Sequence, residues 1–285
     1  MNRTRLHWAL IAGTAAAVGV GAALGTRAIT QLVDSTLPDA RGIASFNRPG
    51  TITLLSSQGK IIQKLGPATR EKIKPGAMPL VVQNAFIAAE DRRFFQHDGV
   101  DVWGIARAVV TNVRQGAVRE GASTITQQLA RIVFLSQDRT ITRKLKEAAL
   151  ALKLERQLSK QQILEQYLNY VYLGSGAYGV SDAAWIYFSK TTDQLTVAEA
   201  ALIAGLPPAP SIYSPLVNPD LALKQRALVL DRMAQSGSIS RVEAERASAS
   251  PLALKPATPK YFNSSAPYFT TWVAQELPKL VTPEQ

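Results

Sequence analysis

Residues 143–169 read RKLKEAALALKLERQLSKQQILEQYLN, and apolar residues recur there every three to four positions. That is the period of an α-helix, not the alternation of a strand. Glu147 shares a helix face with Arg143, Leu150, Ala151 and Leu154, while Leu145, Ala149 and Leu152 make the opposite side apolar as well. Such a helix is expected to lie centrally. Ser159, followed three residues later by Gln162, has the form of a capping box and opens a second helix. Residues 131–160 hold eight basic and three acidic side chains, a net of +5. A buried helix carrying that charge needs partners, either acidic side chains or a phosphate ligand. An Arg143–Glu147 pair within the helix is the simplest of them.

Outward from this segment the helical pattern continues. One helix is expected over residues 80–94, and another from Asp101, an N-cap, to the neighbourhood of Gly116. The stretch QGAVREGA at 115–122 reads as a loop between helices. Ser123 and Thr140 are expected to cap the next two helices. Thr196 with Glu199 and Ser240 with Glu243 fit capping boxes, and Asn218-Pro219 marks a further start. Strand signals are few after residue 70. Before it, TITLLSSQGKIIQKL at 51–65 reads as a short β-hairpin. The fold class is therefore mainly α.

One carboxylate stands out. Glu90 lies in AAEDRRFF, with Phe86 and Ile87 before it and Phe94 four positions after, all on its helix face. Desolvation by such neighbours raises a carboxylate's pKa into the range useful for general acid–base work. The plainer alternative is a partly buried glutamate paired with Arg93.

Composition narrows the chemistry. The 285 residues are 46% hydrophobic and 19% charged, so they can bury a core. There is no cysteine and there are only two histidines, His7 and His97. Thiolate zinc sites, cysteine nucleophiles and disulfide frameworks are thereby excluded, and no metal site is expected. Catalysis must run on carboxylates, hydroxyls and bases.

The N-terminus points to a membrane. Residues 8–26, WALIAGTAAAVGVGAALGT, carry no charge, and as a helix they reach about 28 Å, enough to cross a hydrocarbon core. Arg3 and Arg5 hold the preceding residues 1–7 in the cytoplasm by the positive-inside rule. A transmembrane anchor is favoured over a cleaved signal peptide because the apolar run exceeds a typical signal core. Residues 28–285 carry a net +8 and would lie outside, beside anionic lipid. An exported domain rarely meets nucleic acid, so none is expected as a partner.

Five stretches then occur in order: EDRRFFQHDGVD at 90–101, GASTITQQLAR at 121–131, the 143–169 segment, YLGSGAYGVSDAAWIYFSK at 172–190 and LTVAEAALIAGLPPAPSIYSP at 195–215. They resemble the five motifs of the peptidoglycan glycosyltransferases, glycosyltransferase family 51. That family comprises monofunctional enzymes and the N-terminal catalytic domain of class A penicillin-binding proteins. The resemblance covers residues 76–250. It implies a lysozyme-like head with a small jaw dipping into the membrane, the jaw including the 116–121 loop with Val109, Val110, Val113 and Val118. It also implies polymerisation of lipid II into β-1,4 glycan strands, with inversion and release of undecaprenyl pyrophosphate.

By the same resemblance Glu90 matches the general base and Glu147 the second essential carboxylate, near the leaving pyrophosphate. Arg139 and Lys144 match the basic residues that bind the diphosphate, and Gln128 a substrate-contacting glutamine. Ser123, Gln127 and Arg131 complete the expected substrate-binding set. No cofactor is expected to be obligatory, although a divalent cation (Mg or Mn) can assist the pyrophosphate. Expected partners are lipid II, the growing glycan strand, cytoplasmic membrane lipids and other cell-wall synthesis proteins.

The sequence departs from the family pattern in places. Arg131 stands where lysine is usual, followed by Ile132 instead of asparagine, and Ser189 replaces a glycine. Arginine keeps the charge but meets a phosphate with a planar fork. Ser57-Gln-Gly-Lys60 matches the S-x-x-K of penicillin-binding transpeptidases, but it falls in the expected hairpin turn without companion motifs, a chance match. The expected organisation is a cytoplasmic tail (1–7), an anchor (8–26), a stalk with the hairpin (27–75), the glycosyltransferase domain (76–250) and a C-terminal extension (251–285). That extension resembles the linker to a transpeptidase domain. Two rival functions remain open on the residues: a lytic transglycosylase or lysozyme-like hydrolase, and a non-catalytic scaffold that binds lipid II.

Overall fold

The computed structural model describes residues 43, 52–65, 72–115, 123–135, 141–258 and 264–280. Strand β1 (Ile52–Leu55) pairs antiparallel with β2 (Ile61–Leu65), Ile52 opposite Leu65 and Leu55 opposite Ile61. This is the hairpin expected over 51–65. Its turn is closed by the Ser56 amide donating to the Lys60 carbonyl at 2.8 Å and the Gly59 amide donating to the Ser56 carbonyl at 2.9 Å. Ser57 and Lys60 are exposed in that turn, which suits a connection between strands.

Helices supply nearly all that follows among the described residues: α1 (Leu80–Glu90), α2 (Val102–Gln115), α3 (Ile125–Phe134), α4 (Ile141–Gln157), α5 (Lys160–Tyr170), α6 (Val180–Phe188), α7 (Val197–Ala204), α8 (Pro210–Tyr213), α9 (Pro219–Gln235), α10 (Arg241–Ala249) and α11 (Pro267–Leu280). Helix α1 packs on α7 and α9, and α3 packs on α4 and α5. The two groups meet at a pair of buried rings, Phe86 of α1 edge-on to Tyr167 of α5 with centroids 6.1 Å apart. Burying two such rings fixes the spacing of the helices that carry the site.

Local signals explain most of the boundaries. Ser159 with Gln162 and Thr196 with Glu199 form reciprocal capping boxes. Pro219 stands in the first turn of α9. Ser240 accepts from the Glu243 amide at 3.1 Å. The cap of α3 is Thr124, not Ser123: the Thr124 hydroxyl accepts from the Gln127 amide, and the Gln127 side chain accepts from the Thr124 amide. Displaced by one position, the Ser123 hydroxyl turns to Lys144 instead. The expected cap Thr140 and the 116–121 loop lie outside the described residues, as do residues 8–26 and Val118. So do the side chains of Val109, Val110 and Val113. No helix among the described residues is long and apolar enough to cross a membrane.

Two expectations are corrected. Helix α1 ends at Glu90, not at residue 94, because Asp91 leaves the helix (φ −157°) and its carboxylate binds elsewhere. Phe94 is buried in a separate 3-10 turn, Phe94–Gln96, so it does not share a helix face with Glu90. Helix α4 is not enclosed on both sides. Leu150, Ala151 and Leu154 are fully buried, but Leu145 is 67% and Leu152 45% exposed. Val102 and Trp103 at the start of α2 are exposed as well.

Ser189 follows α6 in the left-handed region, φ 54° and ψ 37°. Glycine is the usual occupant of such a cap because a Cβ is strained there. Serine offsets part of that cost by donating its hydroxyl to the Lys255 carbonyl at 2.8 Å. The departure at this position is thus accommodated locally.

Candidate active site

Glu90 is the last residue of α1, and it lines a cleft of about 420 Å³ together with Ser123, Gln128, Arg131 and Arg232. Pro207, Pro208, Tyr213 and Leu228 form an apolar part of the wall. The Gln128 Nε2 donates to Glu90 Oε2 at 2.7 Å. Arg232 donates to the Ala89 carbonyl at 2.7 Å, satisfying one of the acceptors that the end of α1 leaves open. Burial raises the pKa of Glu90; the Gln128 hydrogen bond and the charges of Arg232 and Arg131 oppose the rise without cancelling it. A carboxylate in that setting is ready to take a proton.

Its neighbour Asp91 is differently employed. The Asp91 carboxylate accepts from the Ile125 amide at 3.1 Å, and His97 Nε2 lies 3.0 Å from both of its oxygens. It therefore ties the first motif to the N-terminus of α3, where a negative charge is favoured. Thr124 strengthens the tie by donating to the Gly99 carbonyl at 2.6 Å. Gly99 has φ +90°, and a Cβ there would stand 2.8 Å from the Ala151 backbone of α4. Only glycine lets the loop approach that closely. The alternative pairing of Glu90 with Arg93 does not form; Arg93 Nε lies 3.8 Å from Asp101 Oδ2.

The second carboxylate sits in a cationic setting. Glu147 of α4 is 1% exposed and accepts from Arg143 one turn earlier, the pair foreseen from their spacing. Lys144 Nζ donates to Glu147 Oε2 at 2.8 Å, to Ser123 Oγ at 2.8 Å and to Gln127 Oε1 at 3.4 Å. Four of the expected residues, Ser123, Gln127, Lys144 and Glu147, are thus gathered at one place. Ser123 also lines the cleft beside Glu90, so this cluster adjoins it. Of these four only Ser123 lines the cleft; Gln127, Lys144 and Glu147 join it through the Ser123 hydroxyl. Lys144 keeps its side chain 45% exposed and can meet a ligand. Arg139 lies outside the described residues.

Sequence reasoning missed four contributors: Asp91, His97, Tyr167 and Arg232. Tyr167 is fully buried and donates its hydroxyl to Gln128 Oε1 at 3.0 Å. Adjacency to Glu90 is the only signal that could have marked Asp91. Among the described residues no group of three or more His, Cys, Asp or Glu is placed to hold a metal ion. A divalent cation would find no preassembled protein site in this part of the chain.

Comparison with known proteins gives a consistent result. The family described as Transglycosylase matches residues 58–234. Penicillin-binding protein 1A of Neisseria lactamica is 46% identical over 241 residues, 85% of this chain and 30% of that protein. Penicillin-binding protein 1A of Aquifex aeolicus is 45% identical over 219 residues, 77% of this chain and 30% of its own length. The chain thus spans about a third of the length of these relatives. Among solved structures, the crystal structure of penicillin-binding protein 1A from Haemophilus influenzae matches with a TM-score of 0.46 and 26% identity, over 82% of this chain and 25% of that one.

Proposed function

The chain belongs to the transglycosylase family, and from that premise we propose that it is a peptidoglycan glycosyltransferase polymerising lipid II into glycan strands. The carrying observation is Glu90: it lines the cleft, burial raises its pKa, and its neighbour Asp91 is bound to His97 and the start of α3. Its carboxylate takes the proton from the 4-hydroxyl of the acceptor sugar. The freed oxygen pair attacks the donor's anomeric carbon from the face opposite the diphosphate. The carbon–oxygen bond to the diphosphate breaks, its electrons leave with undecaprenyl pyrophosphate, and the configuration inverts from α to β.

Departure of a diphosphate calls for positioned positive charge. Lys144 and Arg131 supply it, with Arg139 as a third contributor, and Ser123, Gln127 and Gln128 add hydrogen bonds. Glu147 takes part by holding Lys144 and Arg143 in place. The proposed architecture is a lysozyme-like head and a membrane-associated jaw, to which the exposed Val102, Trp103, Leu145 and Leu152 are suited. Residues 8–26 are proposed as the anchor, with residues 1–7 inside the cell and the catalytic domain on the outer face. The domain limits of 76–250, and the extension from 251 as a linker, are part of the same proposal.

Incubation of the purified chain with lipid II and, separately, with purified sacculi tests the reading. Glycan lengthened from lipid II is the expected outcome. Cleavage of sacculi without polymerisation would favour the hydrolase, and binding without turnover would favour the scaffold. Deleting residues 1–27 should leave a folded enzyme that polymerises more slowly at low lipid II and recovers as substrate rises, since a tether raises effective concentration. It should still bind anionic liposomes at low salt. Full-length rates on dilute membrane substrate, with no liposome binding, would refute that membrane placement.

A further inference from the structure

We propose that Tyr167 is a positioning residue: its hydroxyl fixes the Gln128 amide in the one orientation that presents an N–H to the Glu90 carboxylate. The link to catalysis rests on the role of Glu90 proposed above; the hydrogen-bond chain itself does not.

Three helices converge to make the chain. Tyr167 comes from α5, Gln128 from α3 and Glu90 from α1. Phe86, one turn before Glu90 on α1, meets the Tyr167 ring edge-on, so one helix carries both the carboxylate and the ring that aims the phenol. Tyr167 Oη stands 3.0 Å from Gln128 Oε1, and Gln128 Nε2 stands 2.7 Å from Glu90 Oε2. Tyr167 is fully buried, so its hydroxyl cannot exchange Gln128 for bulk water, whereas Gln128 reaches the cleft on its Glu90 side.

The direction of the chain follows from what each group can do. A primary amide has a donor end and an acceptor end, an ionised carboxylate only accepts, and a phenol can donate. Burial pushes the Tyr167 phenol well above its ordinary value, with the Glu90 charge adding to the rise, so it stays protonated. The phenol therefore donates to the amide oxygen, and the amide N–H is left for the carboxylate. Turning the amide over would bring its oxygen against a carboxylate and set the phenolic proton against an N–H instead of an acceptor. Without the Tyr167 hydroxyl nothing opposes that turn when Glu90 is neutral. Oε2 of Glu90 is thus held, and Oε1 is the oxygen left for a substrate hydroxyl.

The other charged groups facing Glu90 are Arg131 on α3, Arg232 on α9 and the adjacent Asp91. None of them changes when the hydroxyl alone is removed. The test is an NMR titration of the Glu90 carboxyl carbon in the full chain labelled with carboxyl-13C glutamate, its signal identified by its loss in Glu90→Gln. Tyr167→Phe should raise the titration midpoint by about half a pH unit to one, the size of one modest hydrogen bond. The acidic limb of kcat/KM on lipid II should rise with it. Below that limb kcat should fall more than KM changes. In a Gln128→Met background Tyr167→Phe should add nothing.

An unchanged midpoint in Tyr167→Phe overturns the proposal, and so does a shift of equal size in the Gln128→Met background. A midpoint that moves while the acidic limb stays still upholds the positioning and removes Glu90 as the base. Should Tyr167→Phe fail to fold, Gln128→Met alone must raise the midpoint; if it does not, the relay is refuted.

Discussion

Glu90 closes α1 against a neutral amide, whereas Glu147 sits within α4 between an arginine and a lysine. Both are glutamates in a helical core, and their surroundings divide the work between them. At Glu90 desolvation outweighs one amide bond and two more distant arginines, which leaves a carboxylate with raised proton affinity beside an open cleft. At Glu147 two cations are in direct contact, and the group is sealed behind them. The first can accept a proton, and the second holds a half-exposed lysine, the role in donor binding proposed for it above resting on that placement. Two carboxylates set apart by environment are a recurring way to assign chemical roles.

The strongest way to break this contrast is Glu90→Ala. Turnover on lipid II should fall by about 10²–10⁴-fold, the range for loss of a general base. Next in size is the cationic side. Lys144→Ala removes a charge-assisted contact worth about 1.5–3 kcal/mol, so lipid II or a phosphoglycolipid inhibitor such as moenomycin should bind about ten- to a hundredfold more weakly in an isotherm. Donor affinity equal to wild type would leave the basic segment structural only.

Stability should move in opposite directions at the two sites. Glu147→Gln leaves Arg143 and Lys144 without their shared anion and should cost about 1–2 kcal/mol in denaturant unfolding, tempered because Lys144 is half exposed. Glu90→Gln should do the reverse near neutral pH. A carboxylate whose folded pKa is raised binds protons more tightly in the native state, so its ionisation costs stability as pH climbs above the ordinary value toward the folded one. The Gln variant escapes that cost. Its melting temperature should exceed wild type at pH 7.5, and the gap should close as pH falls to about 4, below both values. Equal melting temperatures at every pH would show that burial does not burden Glu90.

Much of this was legible in the sequence where the signal is local. The Arg143–Glu147 pair follows from spacing, and the capping boxes at Ser159 and Thr196 from four residues each. The end of α1 was not, because apolar periodicity runs on to Phe94 while distant bonds from Asp91 to Ile125 and His97 stop the helix at Glu90. One position separated the expected cap of α3 from the actual one: Ser123 and Thr124 share capping chemistry, but Gln127 completes a capping box only with Thr124, which leaves Ser123 for Lys144. Tyr167 reads as one more core aromatic. Its hydroxyl acquires a role only when α5 packs against α1 and α3, a placement that no local spacing records.

Binding and turnover measured on one preparation of Glu90→Gln test the division of labour most directly. The amide keeps the shape of the carboxylate but cannot accept the proton. The expected result is donor affinity within about threefold of wild type, with polymerisation slowed by about a hundredfold or more. Polymerisation at the wild-type rate, or a loss of donor binding as large as the loss of turnover, would contradict the assignment of Glu90 as the base.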